Sequence, residues 1–361
     1  MEMRQLGNTG LTVSVVGLGG AQLGTVTTDY GVRLVHRAIE LGITYFDTAR
    51  GYHDSEVKIG IATQGERERI VLSTKTHSKI RDDAWRDIQE SLERLQTSYI
   101  DNCHLHGLRT GEDLDTRLGP GGALEALLEA KEQGLIGHIG CSSHRADVLV
   151  EALGRFDFET ILVPMNIVET TPLERLVPLC SAKGVGVTVM KPLATGLLPA
   201  TLALRWLRNQ SIACAVPGTT TVEQVEENAT AGDGDATLTE SEARQISELR
   251  EYWDQRRCRI CHECEPCPQQ IPLPIVLGTD VMYDHYRTMG AGVFEAFSWS
   301  REMLQQELTH RKETIAAIES CDDCGKCEEL CPYGLPVRRM LRDLLPAMRE
   351  MVTIYERRLS A

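Results

Sequence analysis

Eight of the twelve cysteines fall in two tight groups near the C-terminus. The first is Cys258-x2-Cys261-x2-Cys264-x2-Cys267-Pro268, and the second is Cys321-x2-Cys324-x2-Cys327-x3-Cys331-Pro332. Thiolates in CxxCxxC spacing can wrap three corners of one iron–sulfur cubane. A fourth cysteine before proline points away and commonly ligates a second cluster. The second group matches the bacterial ferredoxin run residue for residue. The first is one residue short before Cys267. On this logic Cys258, Cys261, Cys264 and Cys331 hold one [4Fe–4S] cluster, and Cys321, Cys324, Cys327 and Cys267 hold another. Two zinc ions on four thiolates each are the competing chemistry. Zinc pairs, however, are normally parted by a longer loop than these consecutive steps allow. Cys103, Cys141, Cys180 and Cys214 are scattered through apolar runs and read as buried small hydrophobes.

A second set of reactive types lies upstream. Asp47, Lys75 and His106 close successive β-like runs, and Tyr52 follows Asp47 by five residues. A free tyrosine has a pKa of about 10, too high for easy proton exchange at neutral pH. A neighbouring ammonium favours the phenolate, and a carboxylate can hold that ammonium in place. Tyr52 would then protonate a carbonyl oxygen, while His106 orients the carbonyl or shares the proton work. Taken singly, Asp47 and Lys75 could be a structural ion pair, Tyr52 a loop aromatic, and His106 a satisfied core histidine, as His104 is read to be.

The elements that must position these groups alternate in type. β-rich runs cover residues 13–16, 44–48, 70–75, 100–106, 136–142, 160–164, 185–190 and 213–217. Amphipathic stretches lie between them at 30–41, 82–95, 123–133, 146–153, 173–183 and 201–208, and Gly42, Gly134 and Gly184 supply C-caps to three of these. Eight near-equal β-then-α units, with reactive residues at strand C-termini, predict a closed (β/α)8 TIM barrel rather than a doubly wound open sheet. The fold class expected is α/β, with a mainly helical C-terminal iron–sulfur (ferredoxin-like) domain after the barrel. Domain limits are 1–230 for the barrel, 231–255 for a linker and appended helix opened by Thr239 and Glu242, and 256–361 for the cysteine unit, helical over 281–320.

Arg4-Gln5-Leu6-Gly7, Thr9-Gly10-Leu11, Phe46-Asp47-Thr48-Ala49 with Tyr52, Ser73-Thr74-Lys75 and Tyr99-Ile100-Asp101 with His106 resemble the aldo-keto reductases. The whole chain resembles the subgroup carrying a C-terminal ferredoxin-like domain, and the helical spacer is similar to the ferredoxin modules of respiratory iron–sulfur subunits. The resemblance implies carbonyl reduction by an Asp47/Tyr52/Lys75/His106 tetrad, with NADP or NAD bound without a Rossmann fold. It places Ser142 on the nicotinamide amide, with Ser143 where asparagine is usual, and Leu162 where glutamine is usual. Met190 replaces the stacking aromatic. Lys191, Pro192, Leu193, Gly196 and Leu197 match the pyrophosphate loop. Gly218, Thr219, Thr220, Thr221, Gln224, Glu227 and Asn228 match the adenosine loop, with Gly218 and Gln224 where cations often clamp a 2′-phosphate. Gly20 joins the cofactor positions. The run Gly17-Leu18-Gly19-Gly20 lacks Rossmann spacing and ends the first barrel strand.

The net charge of −14 argues against nucleic acid, because phosphates need Lys and Arg to displace counterions. No apolar run approaches the roughly 20 residues of a membrane helix, and the N-terminus lacks a secretory pattern, so a cytoplasmic protein is expected. Its partners would be a small carbonyl or alcohol substrate and an electron-transfer partner. Hydride moves two electrons and each cluster moves one, a mismatch that flavin normally bridges. No flavin motif is identifiable. Three functions follow: a carbonyl reductase with structural or sensory clusters, an electron-transfer enzyme working with a partner or flavin, and a non-enzymatic NAD(P)-binding redox sensor.

Overall fold

The computed structural model describes residues 1–109, 111–254, 256–258, 263–278 and 301–360. These residues divide into two compact units. One comprises Met1–Leu193 and Leu198–Thr239, the other Ala194–Leu197 and Glu240–Ala361. The dividing point places helix Glu240–Asp254 with the cysteine-bearing unit.

The first unit opens with an antiparallel hairpin, β1 (Met3–Gln5) and β2 (Thr12–Ser14). Leu6 and Val13 are fully buried here in one apolar cluster with Tyr45, Leu162 and Cys214. Eight parallel strands follow: β3 (Leu18–Gly19), β4 (Tyr45–Asp47), β5 (Val71–Thr76), β6 (Ile100–Leu105), β7 (Ile136–Ser142), β8 (Thr160–Pro164), β9 (Gly186–Met190) and β10 (Cys214–Val216). Bridges Val16 to Ala215 and Gly19 to Gly218 join the two ends and close the barrel. The expected first strand at 13–16 is therefore corrected. Residues 12–14 form the hairpin, and the barrel strand begins at Leu18. Gly7 and Gly10, at φ 58° and 79°, permit the reversal that folds residues 12–14 back on 3–5.

Helices separate the strands, as a right-handed parallel barrel requires. α1 (Thr28–Glu40) buries Leu34, Val35, Ala38 and Ile39 along one stripe. α2 (Ser55–Ala62) and α3 (Arg81–Arg94) follow β4 and β5. α4 (Gly111–Leu118) and α5 (Ala123–Glu132) follow β6. α6 (Ala146–Arg155), α7 (Leu176–Lys183), α8 (Ala200–Arg208) and α9 (Val222–Ala231) complete the circuit. Gly184 ends α7 in the left-handed conformation, φ 70°, as expected of a C-cap.

The barrel interior carries polar side chains that hydrogen-bond one another. Thr160 Oγ1 donates to Asn102 Oδ1 at 2.8 Å and lies 2.9 Å from His104 Nε2, while Asn102 Nδ2 donates to Ser73 Oγ at 3.1 Å. His104 is thus a buried structural histidine. Cys103, Cys141, Cys180 and Cys214 are buried too. Burial pushes the thiols of Cys103 and Cys180 up to about 12.

In the second unit, helix Arg301–Glu319 packs along helix Val337–Ser360. The latter buries Met340, Leu341, Leu344, Met348, Met351 and Tyr355 at helical spacing. The part of the expected 281–320 helix before residue 301 lies outside the described residues, as does Cys261. Among the described residues no helix is long and apolar enough to cross a membrane.

Candidate active site

Three strand ends and one turn bring the reactive residues together. Asp47 ends β4, Lys75 lies on β5, and His106 follows β6. Alternation along β5 puts Lys75 on the same face as Ser73, and along β6 it puts His106 in line with His104 and Asn102. Tyr52 sits in the turn between β4 and α2. Its N–H donates to Ala49 O at 3.0 Å, and its carbonyl accepts from Ser55 N at 2.9 Å. Gly20 packs beneath this turn, because a Cβ there would lie 2.8 Å from Asp47 O and 2.7 Å from Ser55 Oγ.

Lys75 Nζ donates to Asp47 Oδ2 at 2.7 Å and to Thr48 O at 2.5 Å. Both charged side chains are almost fully buried, Lys75 at 1% and Asp47 at 4% exposure. Lys75 Nζ lies 5.0 Å from the Tyr52 ring centre, and the Tyr52 ring meets His106 edge-on with centres 5.7 Å apart. Asp47 Oδ1 and His106 Nδ1 are buried without a hydrogen-bond partner among the described residues.

The electrostatics follow from this burial. Burial works against the Lys75 ammonium, but the Asp47 carboxylate and, once it ionises, the Tyr52 phenolate outweigh it and hold the ammonium above its ordinary range. Burial raises the Asp47 carboxyl, opposed by Lys75. For Tyr52, burial raises the phenol, Lys75 pulls it down and Asp47 pushes it up, with a net rise. Lys75 thus lowers the phenol as expected, but burial outweighs it. Tyr52 is a protonated phenol at neutral pH. Burial, then the charge of Lys75, drives His106 far below the ordinary histidine range, so its imidazole is neutral.

The cofactor positions fare unequally. Ser142 Oγ accepts from Gly107 N at 3.0 Å and keeps its own hydrogen to give. Ser143 Oγ donates to Leu108 O at 2.6 Å, so its proton is committed to the loop. Met190, at the end of β9, is half-buried and packs on the barrel cluster. Lys191 turns the chain at φ 54°, and its carbonyl accepts from Asn166 Nδ2 at 3.1 Å. Pro192 and Leu193 follow it in the same unit, whereas Gly196 and Leu197 fall in the other. Thr221 and Gln224 form a reciprocal capping box for α9, and Gln224 Oε1 also accepts from Thr220 N at 2.8 Å. Gly218 packs against Gln22, whose side chain a Cβ there would overlap. Glu227 is exposed. Thr219 Oγ1 and Asn228 Nδ2 are buried and have no partner among the described residues.

In the second unit, Cys267, Cys321, Cys324 and Cys327 line one pocket, with Cys264 and Arg338 in the same wall. Cys258 and Cys331 pack against the same apolar core as Cys264. Among the described residues no three His, Cys, Asp or Glu side chains converge closely enough to hold a single metal ion.

His77, missing from the sequence-level site, stacks on His106 with ring centres 3.7 Å apart. Its signal was available: it stands two residues beyond Lys75, on the same alternating face. Arg117 closes the same corner, donating Nη1 to His106 O at 2.9 Å.

This barrel and site define an oxidoreductase class, and comparison with known proteins agrees. The sequence profile described as "Aldo/keto reductase family" matches residues 15–201. L-galactose dehydrogenase of Arabidopsis thaliana is 32% identical over 306 residues, covering 67% of this chain and 94% of that protein. The holo form of an aldo-keto reductase from Bacillus halodurans superposes with a TM-score of 0.61 at 31% identity, covering 69% of this chain and 96% of that one. An aldo/keto reductase from Klebsiella pneumoniae, in complex with NADP and acetate, gives a TM-score of 0.58 at 26% identity, covering 68% and 94%. The chain belongs to the aldo/keto reductase family and is an NAD(P)-dependent oxidoreductase.

Proposed function

We propose that this protein reduces an aldehyde or ketone to an alcohol, or runs the reverse, at Asp47, Tyr52, Lys75 and His106. The buried Lys75–Asp47 pair, 2.7 Å apart and beside the Tyr52 phenol, carries this reading. Asp47 fixes the ammonium, and the ammonium favours the phenolate that remains when Tyr52 gives its proton to the carbonyl oxygen. Neutral His106 can donate one hydrogen bond to the same oxygen without competing as an acid. Burial keeps Tyr52 protonated at neutral pH, so it holds a proton to give to a carbonyl oxygen.

A nicotinamide dinucleotide fits the barrel loops of the first unit. Ser142 has a hydroxyl hydrogen to give, and the unpartnered Thr219 Oγ1 and Asn228 Nδ2 are buried polar atoms awaiting a ligand. When bound, the nicotinamide supplies or accepts the hydride. The stretch 216–228 contains no Lys or Arg, so a 2′-phosphate would find hydroxyl donors without charge assistance. The complex of the Klebsiella relative supports NADP, and the composition of this loop supports NAD beside it.

The cysteine unit is read as the holder of two [4Fe–4S] clusters in a reducing cytoplasm. Cys267, Cys321, Cys324 and Cys327, the four assigned to one cluster, share a cavity wall. A cubane binds each thiolate through a separate iron, so its ligands stand further apart than those of a single ion. Four thiolates in one pocket wall, three of them in consecutive CxxC steps, support the cubane reading. Arg338 Nε is a buried donor in the same wall without a partner among the described residues, and a cluster sulfide would accept from it. Cys324 is exposed, which favours a second reading in which this cluster exchanges electrons with a partner protein.

The test is Tyr52→Phe. Carbonyl reduction should fall by roughly 100- to 10,000-fold while cofactor affinity stays within about threefold. Turnover at the wild-type rate would remove Tyr52 as the proton donor.

A further inference from the structure

We infer that His77 is a positioning residue whose ring orients His106 by stacking, in the place that a hydrogen bond to the second imidazole nitrogen ordinarily fills. This rests on the reductase reading and deepens it. A neutral imidazole that donates to a carbonyl oxygen must present one chosen nitrogen, and the usual device is a hydrogen bond that fixes the other. His106 Nδ1 is buried and has no partner among the described residues. The His106 ring is bounded instead by two other rings. Tyr52 meets it edge-on, with centres 5.7 Å apart. His77 lies over its face, with centres 3.7 Å apart and planes 33° from parallel.

The backbone holds both histidines in register. β5 and β6 pair with Thr76 opposite Leu105, and His77 and His106 are the next residue on each strand's path. His106 N donates to Thr76 O at 2.9 Å, and Arg117 Nη1 donates to His106 O at 2.9 Å. Asp87 of α3 grips the two residues that flank His77. Its Oδ2 accepts from Thr76 Oγ1 and, at 2.8 Å, from Ser78 Oγ, while Ser78 N donates to Thr76 Oγ1 at 3.0 Å. Gly51 leaves room for the ring, because a Cβ there would lie 3.1 Å from His77 Cε1 and Nδ1. Among the described residues no hydrogen bond or ion pair reaches the His77 ring, so what it offers His106 is a face.

A double-mutant cycle on the full chain tests this, using an aldehyde turned over from a panel of small aldehydes with NADH or NADPH. His77→Ala should lower kcat/KM by roughly two- to tenfold, the change to which one aromatic pair corresponds. His77→Phe should recover most of that loss, because phenylalanine keeps the face and drops the nitrogens. In a His106→Ala background, His77→Ala should change nothing, since the ring it positions is gone. An unchanged rate in His77→Ala, an equal loss in the His106→Ala background, or no rescue by phenylalanine would overturn the inference and leave the reductase reading standing. If the wild type reduces no aldehyde, the reductase reading fails instead, and the His106 ring itself still decides the inference. In protein labelled with 15N-histidine, the His106 nitrogens should report one tautomer in the wild type and in His77→Phe, and a mixture of two in His77→Ala. A His106 signal in His77→Ala identical to that of the wild type would overturn it.

Discussion

Replacing Lys75 with methionine isolates the physics on which the site depends. Methionine fills most of the lysine volume, so the main loss is the ammonium 2.7 Å from Asp47. Asp47 is 4% exposed, and its Oδ1 has no partner among the described residues. Removing one member of a buried pair strands the other, at a cost of about 3–5 kcal/mol. For a unit of this size each kcal/mol corresponds to roughly 2–4 °C, so the melting point should fall by roughly 6–20 °C. The penalty should also depend on pH with a definite sign. Burial raises the folded-state carboxyl of Asp47, and the variant lacks the Lys75 charge that opposes it. A group with a raised folded pKa is fully accommodated below its unfolded value, about 3.9 for aspartate, and loses stability as pH rises through the folded value. The gap between Lys75→Met and wild type should therefore widen from the acid side towards neutral pH. Adding Asp47→Asn removes the stranded charge and should recover most of the loss. Urea midpoints of the three proteins across a pH series would check this. A penalty independent of pH, or a double variant no more stable than the single one, would refute the reasoning.

Other predictions bear on the cofactor and the cysteines. Gln224→Arg should shift the NADPH-to-NADH ratio of kcat/KM towards NADPH by about tenfold, by adding a charge-assisted donor, and should cost about 1 kcal/mol by breaking the Thr221–Gln224 capping box, readable by thermal melting. Protein purified without oxygen should contain about eight irons, and Cys331→Ser should leave about four, with one electron-paramagnetic signal lost. Arg338→Met should move the midpoint potential of the adjacent cluster to a more negative value in a redox titration, because a positive donor is removed from the wall of its pocket.

Much of this architecture is visible from residue pattern because buried parallel strands are continuous apolar runs. Residues 136–142 and 160–164 are strands at the limits expected. The pattern failed at 13–16, where a hairpin strand and a barrel strand carry the same alternation and only the glycines at 7 and 10 mark the reversal. It missed α2, whose buried face mixes Glu56 and Lys58 with Ile59 and Ala62. Lys58 is satisfied there by Asp54 and by the carbonyls of Leu23 and Val26, partners that no local periodicity records. Thr221 and Gln224 carry a T-x-x-Q capping signature, and the structure uses them for it. The convergence of Asp47, Lys75 and His106 was legible because strand ends in a barrel face one way. The net rise of the Tyr52 phenol was not, since it depends on burial outweighing a neighbouring ammonium.

Hydride chemistry is proposed to occur in the barrel and not to pass through the cysteine unit. Its most direct test follows deuterium from NAD(P)H labelled at C4 into the alcohol formed anaerobically from a carbonyl substrate, read by mass spectrometry, using both stereoisomers of the label. One deuterium is expected on the carbinol carbon with one of the two stereoisomers, because the hydride moves as a unit while Tyr52 supplies only the oxygen proton. Alcohol formed without deuterium from either isomer would mean that electrons and protons arrive separately, and would contradict it.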